Sequence, residues 1–230
     1  SLLKKGLEIR QTALGPEHPD VAGSLNNVGN IYFEKGQFDK AEPYYLQSLE
    51  IKRKLFGENH PDVALGLSNL AMIYHSLGNY AKAEVISLQT LEIRKKTLSE
   101  KDRELSMSYN NIAGTYVRLK KFKKAEEFYM TALNLRKKYQ GDSSIDVGET
   151  LHNIGFLNYM QGFYANAERY YLQALEIEKK VLGQYHQTTG ATTIALSLVY
   201  NETGRYDKAE VFSLQALDIR KKSLAPNHPE

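Results

Sequence analysis

Asparagine recurs at Asn27, Asn69, Asn111 and Asn153, each 42 residues after the one before, and the next position in that register is Ala195. The preceding position reads Asn26, Ser68, Asn110, His152 and Ile194. A carboxamide offers two donors and an acceptor oxygen, so it matches a peptide group whatever side chains that peptide carries. This is the chemistry of recognition. Glu149 and His152 form one Glu-x-x-His, the half-motif that supplies ligands to di-iron helical bundles. It occurs once, and neighbouring copies place Asn110 and Ile194 at the histidine position, so no metal site is expected. His18, His60, His186 and His228 recur in loops, with Asp102 and Ser144 in the intervening copies. Loops a whole repeat apart cannot share one ion at bonds of ~2 Å. These histidines are read as loop or capping residues.

Nothing in the sequence converges on catalysis. There is no glycine-rich phosphate loop, no nucleophile elbow and no carboxylate pair set apart from the general surface charge. The absence of cysteine excludes disulfides, thiolate metal sites and cysteine nucleophiles. No catalytic residue, metal or cofactor is assigned, and the chain is read as a non-enzyme. Basic clusters recur at Lys52 to Lys54, Arg94 to Lys96, Arg136 to Lys138, Lys179 to Lys180 and Arg220 to Lys222. They could form a stripe for nucleic acid. The simpler reading prevails: each closes a helix, where cations complement the dipole, and Glu50, Glu92, Glu176 and Asp218 stand four residues before a lysine. A net charge of +3 adds no argument for nucleic acid, and no apolar run approaches the ~18 residues of a membrane span.

The elements that position these residues follow from the period. Asp20, Asp62, Glu104, Asp146 and Thr188 repeat it without insertion or deletion, which signals a stacked array. In residues 62–103, Leu67, Leu70, Ala71 and Tyr74 recur at helical spacing behind Pro61, which suits a first turn. This predicts a first helix. Gly78 supplies a turn, and Ala83, Leu88, Leu91 and Ile93 carry the pattern through a second helix to about Leu98. A polar loop closes the unit, as in LFGENHPDVA at 55–64, and it is nearly restored as LAPNHPE at 224–230. No strand pattern appears, and the absence of tryptophan excludes a WD40 propeller of similar period. The expected organisation is one array. Residues 1–19 form a second helix and loop, and repeats follow at 20–61, 62–103, 104–145, 146–187 and 188–230.

Leu25, Val28, Gly29, Tyr32, Ala41, Tyr45 and Ser48 occupy the spacing of tetratricopeptide signature positions, and the match recurs through Tyr109, Ile112, Ala113, Tyr116, Ala125, Tyr129 and Ala132. With NNxA, AExxY, ALEIRKK and GxxHPDVA in a 42-residue period, the chain resembles the kinesin-light-chain subtype of this family. The resemblance implies an all-α fold, an α-solenoid of antiparallel helix pairs coiled into a right-handed superhelix. It also implies protein or peptide binding in a concave groove lined by the first helices. Departures are local: Asn158 stands where Tyr32, Tyr74, Tyr116 and Tyr200 stand, Lys120 replaces the turn glycine, and Ser87 and Ser213 replace an aromatic residue.

On the first helix, Leu65, Ser68, Asn69, Met72, His75 and Ser76 cluster opposite the core positions. The candidate peptide-binding set is therefore Asn26, Asn27, Asn30, Asn69, Met72, His75, Asn110, Asn111, Arg118, Glu149, His152, Asn153, Phe156 and Tyr159. Adjacent repeats lie ~10 Å apart and an extended peptide rises ~3.3 Å per residue. One asparagine then meets every third ligand residue, and the row holds about nine to twelve. The mixed flanking residues suit a ligand with aromatic anchors and an acidic residue near Arg118. The alternative is that the asparagines bond neighbouring helices and only set packing. Two further readings of the whole stay open: a regulatory arm of a larger, bacterial-type protein with an effector such as a caspase-like protease elsewhere, or a spacer without a ligand. A cytoplasmic location fits the absence of cysteine. The chain starts within a repeat, as a segment of a longer protein would, and uncapped terminal faces would permit end-to-end association.

Overall fold

The computed structural model describes residues 2–224 and forms eleven α-helices over that span, with no strand among the described residues. They are α1 (Leu2–Leu14), α2 (Pro19–Glu34), α3 (Phe38–Phe56), α4 (Pro61–Ser76), α5 (Tyr80–Thr97), α6 (Arg103–Arg118), α7 (Phe122–Gln140), α8 (Ile145–Met160), α9 (Tyr164–Val181), α10 (Gln187–Glu202) and α11 (Tyr206–Leu224). The all-α pattern of paired helices matches the expectation from the period. The C-terminal LAPNHPE, with His228, lies outside the described residues apart from the backbone of Leu224.

Local chemistry explains where each helix starts and stops. His18, His60 and His186 hold extended backbone, and each Nδ1 accepts a hydrogen bond at 3.2 Å from the N–H two residues on, which caps α2, α4 and α10. Ser144 caps α8 by accepting from the Val147 N–H at 3.3 Å. The recurrent loop histidine is thus a helix cap. Between the helices of a pair, Gly78 turns the chain at φ 74°. Lys120 does the same at φ 56°, the one non-glycine among the described residues with a positive φ.

The helices fall into two compact units, Ser1–Lys121 with α1 to α6 and Phe122–Glu230 with α7 to α11. Within each, every helix packs against the next in sequence. In the first unit, Leu67, Leu70 and Ile73 of α4 pack with Tyr45 and Leu49 of α3 and Ile93 of α5 in one buried core, and Leu25 and Val28 of α2 pack with Leu7 of α1 and Ile51 of α3 in another. In the second, Leu196, Val199 and Tyr200 of α10 pack with Tyr171 and Leu175 of α9, and Leu151, Ile154 and Leu157 of α8 are buried. Leu88, expected among the core positions of α5, is only half-buried.

A size rule matches the two helices of a pair. A Cβ on Gly29 would stand 2.8 Å from the Tyr45 ring, and one on Gly155 would stand 2.8 Å from the Tyr171 ring. These glycines exist so that a tyrosine can lie against the first helix. Where the second-helix residue shrinks to Ser87 or Ser213, the first-helix residue in register grows to Ala71 or Ser197, and Ser197 Oγ meets Ser213 Oγ at 3.0 Å. These two departures from the repeat pattern are therefore compensated, whereas Ala113 and Tyr129, in the same register, do not follow the rule. Asn158, in the tyrosine position, satisfies its amide on its own helix by donating to the Ile154 carbonyl at 2.8 Å.

Candidate recognition faces on the first helices

In the first unit, α2 and α4 each turn one stripe away from their second-helix partners, and α6 carries residues in the same register. Asn27, Asn111 and Arg118 are exposed along it, together with Leu65, Met72 and Met107. The mixture of amide, thioether and alkyl groups was legible in the spacing. The structure separates the asparagines by role. Asn69 Nδ2 donates to Asn26 Oδ1 at 2.8 Å, which ties α4 to α2. Asn30 Oδ1 accepts from the Tyr45 hydroxyl at 2.7 Å. Asn110 is buried at 4% exposure. Asn27 and Asn111 are the asparagines of the set that the first unit leaves open to solvent, while the others take part in packing.

His75 is half-buried on α4 with its ring edge-on to Tyr80 at 5.1 Å. Burial holds its imidazole below the usual histidine range, and the positive charge of Arg118 pushes the same way. His75 is therefore neutral at physiological pH, beside an exposed guanidinium.

In the second unit the stripe runs over α8 and α10. Asn153 is half-buried, Phe156 and Tyr159 pack partly into the core, and the Tyr159 ring meets Tyr164 at 5.7 Å. Ile194 and Leu198 are exposed on α10 at 46% and 47%. α10, where Ala195 ends the asparagine row, is apolar at its exposed Ile194 and Leu198. Glu149 and His152 do not act as a ligand pair: Glu149 meets Arg136 at 3.1 Å, and His152 Nδ1 meets the Thr192 hydroxyl at 2.7 Å. No group of three or more His, Cys, Asp or Glu among the described residues could hold a metal ion.

One functional element escaped the sequence reading. The basic clusters are not wholly solvated helix ends, because Arg94 is only 8% exposed and Arg136 only 1%. Arg136 donates to the Asp146 carbonyl at 2.6 Å and to the Thr150 hydroxyl at 2.7 Å, and Arg94 donates to the Ser108 hydroxyl at 2.8 Å. Arg10 makes the same bond to Ser24. Each is a clamp from the end of one pair to the start of the next. The signal was a hydroxyl fourteen residues after each of these arginines. Around the clamps two of the four expected surface pairs form, with Lys54 at 3.4 Å from Glu50 and Lys222 at 2.9 Å from Asp218, whereas Glu92 pairs with Lys95 at 3.4 Å in place of Lys96.

A tetratricopeptide repeat model matches the chain throughout, at residues 1–54, 20–96, 62–138, 104–177 and 146–222. The chain belongs to the tetratricopeptide repeat family. Among solved structures it resembles BtubC (BKLC) from P. vanneervenii, with 25% identity and a TM-score of 0.78 over 99% of this chain and 90% of that one. It is also similar in fold to nearly identical repeats attributed to a kinesin light chain of Podosopora anserina, with 21% identity and a TM-score of 0.73 over 91% of this chain and 99% of that one. Nephrocystin-3 of Xenopus laevis is 46% identical over 46 residues, which is 20% of this chain and 4% of that protein's length. No helix among the described residues is long and apolar enough to cross a membrane.

Proposed function

We propose that the chain is a non-enzymatic interaction module that binds extended segments of partner proteins along the first-helix stripe of each unit. Tetratricopeptide repeats mediate protein–protein interaction as a class. The observation that carries the finer reading is the exposed row of Asn27, Leu65, Met72, Met107 and Asn111 in the first unit. Apolar groups in that row gain by leaving water at ~25 cal/mol per Å², while the two open amides pair with a ligand backbone irrespective of its side chains. Arg118 at the end of the row supplies a site for a ligand carboxylate.

A panel of fluorescent peptides of about ten residues, spanning aromatic and acidic content, tests the reading by anisotropy. Binding of the preferred sequence is expected near micromolar, about 8 kcal/mol. Asn27→Ala combined with Asn111→Ala, or Met72→Asp alone, should weaken it by about tenfold or more with unchanged thermal unfolding. Unchanged affinity in both variants, or no binding across the panel, overturns the proposal.

A further inference from the structure

The clamp position is filled by a cation in every copy but one. In register with Lys52, Arg94, Arg136 and Arg220, α9 carries Glu178, and α10 supplies Thr192 in register with Thr150. The charge is reversed and the side chain is shorter. Glu178 is fully buried at 0% exposure. Its Oε1 accepts from the Thr192 hydroxyl at 2.9 Å, and its Oε2 is buried with no hydrogen-bond partner. Beside it lies a cavity of about 320 Å³ lined by Glu149, His152, Glu178, Gln187, Thr188 and Ala191. Ala191 stands in register with Glu149, the carboxylate that closes over Arg136 at 3.1 Å. One clamp is thus filled by an arginine and covered by a carboxylate. The next has a carboxylate for its floor, an alanine for its cover and a cavity between.

We propose that this cavity binds a cationic group from outside the chain, a guanidinium or alkylammonium that takes the place held by arginine in the preceding copy. The donors of such a group meet acceptors on three sides. Glu178 supplies the unpaired Oε2, and Thr188 supplies the carbonyl in register with the Asp146 oxygen that Arg136 uses. Since the Thr192 hydrogen goes to Glu178, His152 donates from Nδ1 and keeps a lone pair on Nε2. Gln187, Ala191 and Glu149 are exposed, so the cavity has a way in. An anion would meet the carboxylates of Glu149 and Glu178, and an uncharged apolar guest would leave Oε2 unpaired.

The charged and titratable groups facing the cavity are Glu149 and His152 of α8 and Glu178 of α9, with Arg136 of α7 bound to Glu149. Burial pushes the Glu178 carboxyl up to about 7 and holds His152 below the usual histidine range. Cation entry therefore displaces the Glu178 proton, and binding tightens as pH rises. The inference rests on the recognition reading only for the source of the cation.

Titration calorimetry of the whole chain with N-acetyl-arginine amide tests it, with N-acetyl-citrulline amide as the uncharged isostere. Binding of the arginine compound alone is expected, tightening between about pH 6 and pH 8 as the carboxyl loses its proton. Glu178→Gln should weaken it at least about tenfold, the loss expected for one charged hydrogen-bonding partner. Glu178→Arg fills the clamp from within and should abolish it. Ala191→Lys places a competing ammonium at the mouth of the cavity and keeps the floor, so it also should abolish binding should either Glu178 variant fail to fold. No binding of the arginine compound, equal binding of citrulline, or retention by every folded variant overturns the site. Tighter binding of an arginine-bearing peptide than of the amide assigns the cation to a partner segment, and equal binding assigns it to a free small molecule. Binding of the amide with no peptide bound on either stripe keeps this site and removes the recognition reading.

Discussion

Two residues decide what single substitutions should do. Glu178 has its carboxyl raised from 4.5 to about 7 by burial, against the opposing hydrogen bond from Thr192. Below the unfolded value both states hold the proton and the group is neutral toward stability. As pH rises from about 4.5 to about 7 the unfolded chain ionises first, so this group alone should lower stability by about 3 kcal/mol across that window. His152 works in the other direction, since its depressed imidazole removes stability as pH falls through the usual histidine range. Urea denaturation at about pH 5 and pH 8 should therefore show the change in stability from pH 5 to pH 8 shifted upward by about 3 kcal/mol in Glu178→Gln relative to the native chain, and parallel profiles would contradict the assignment. Asn69 presents a simpler case. Its bond to Asn26 makes Asn69→Ala destabilising by about 1 kcal/mol, whereas Asn27→Ala and Asn111→Ala should stay within about 0.5 kcal/mol. The sequence grouped these asparagines together because they share a register. Which of them meets a neighbour depends on the lateral distance between α2 and α4, and periodicity within one helix does not contain that distance.

At the scale of the helix pair, the size rule makes a prediction with its own control. Gly29→Ala forces a methyl to 2.8 Å from the Tyr45 ring, and overpacking of this kind costs about 1–3 kcal/mol. Adding Tyr45→Ser copies the Ala71 and Ser87 combination of the next repeat and should restore part of the loss. A double-mutant cycle by thermal or urea denaturation gives the coupling, and simple additivity would reject the rule. Helix starts, turns and core stripes were readable because each depends on residues a few positions apart: a cap two residues from its N–H, a glycine at a positive φ, a stripe repeating every third or fourth position. The arginine clamps were not. Their residues also satisfy the rule for helix ends, and the local reading sufficed until Arg136 was found at 1% exposure under the next helix. Replacing Arg136 by methionine keeps the volume and removes all five N–H donors, leaving the Asp146 carbonyl and the Thr150 hydroxyl each with one partner fewer.

Across the whole chain, the repeats agree in fold and differ in the surface they offer. The first unit shows amides, methionines and Arg118, and the second shows Ile194 and Leu198. Ile194→Ser with Leu198→Ser should leave thermal unfolding almost unchanged, because both side chains are nearly half exposed. Loss of a partner from the second unit alone, measured by anisotropy, would show that the units select different sequences. The size-matched pair and the clamp also run at different offsets. Tyr45 answers Gly29 inside one helix pair, whereas Arg136 answers Thr150 across a loop. A block joined at the loops, such as 62–103, would carry each clamp donor away from its acceptor; a block joined at the turn would separate tyrosine from glycine. Only a junction midway along a second helix keeps both couples together, as in 130–171 with Arg136, Thr150, Gly155 and Tyr171, or 172–213 with Glu178, Thr192, Ser197 and Ser213. The exchangeable module of this protein therefore begins and ends inside a helix, and chimeras spliced there should tolerate shuffling that loop-joined ones do not.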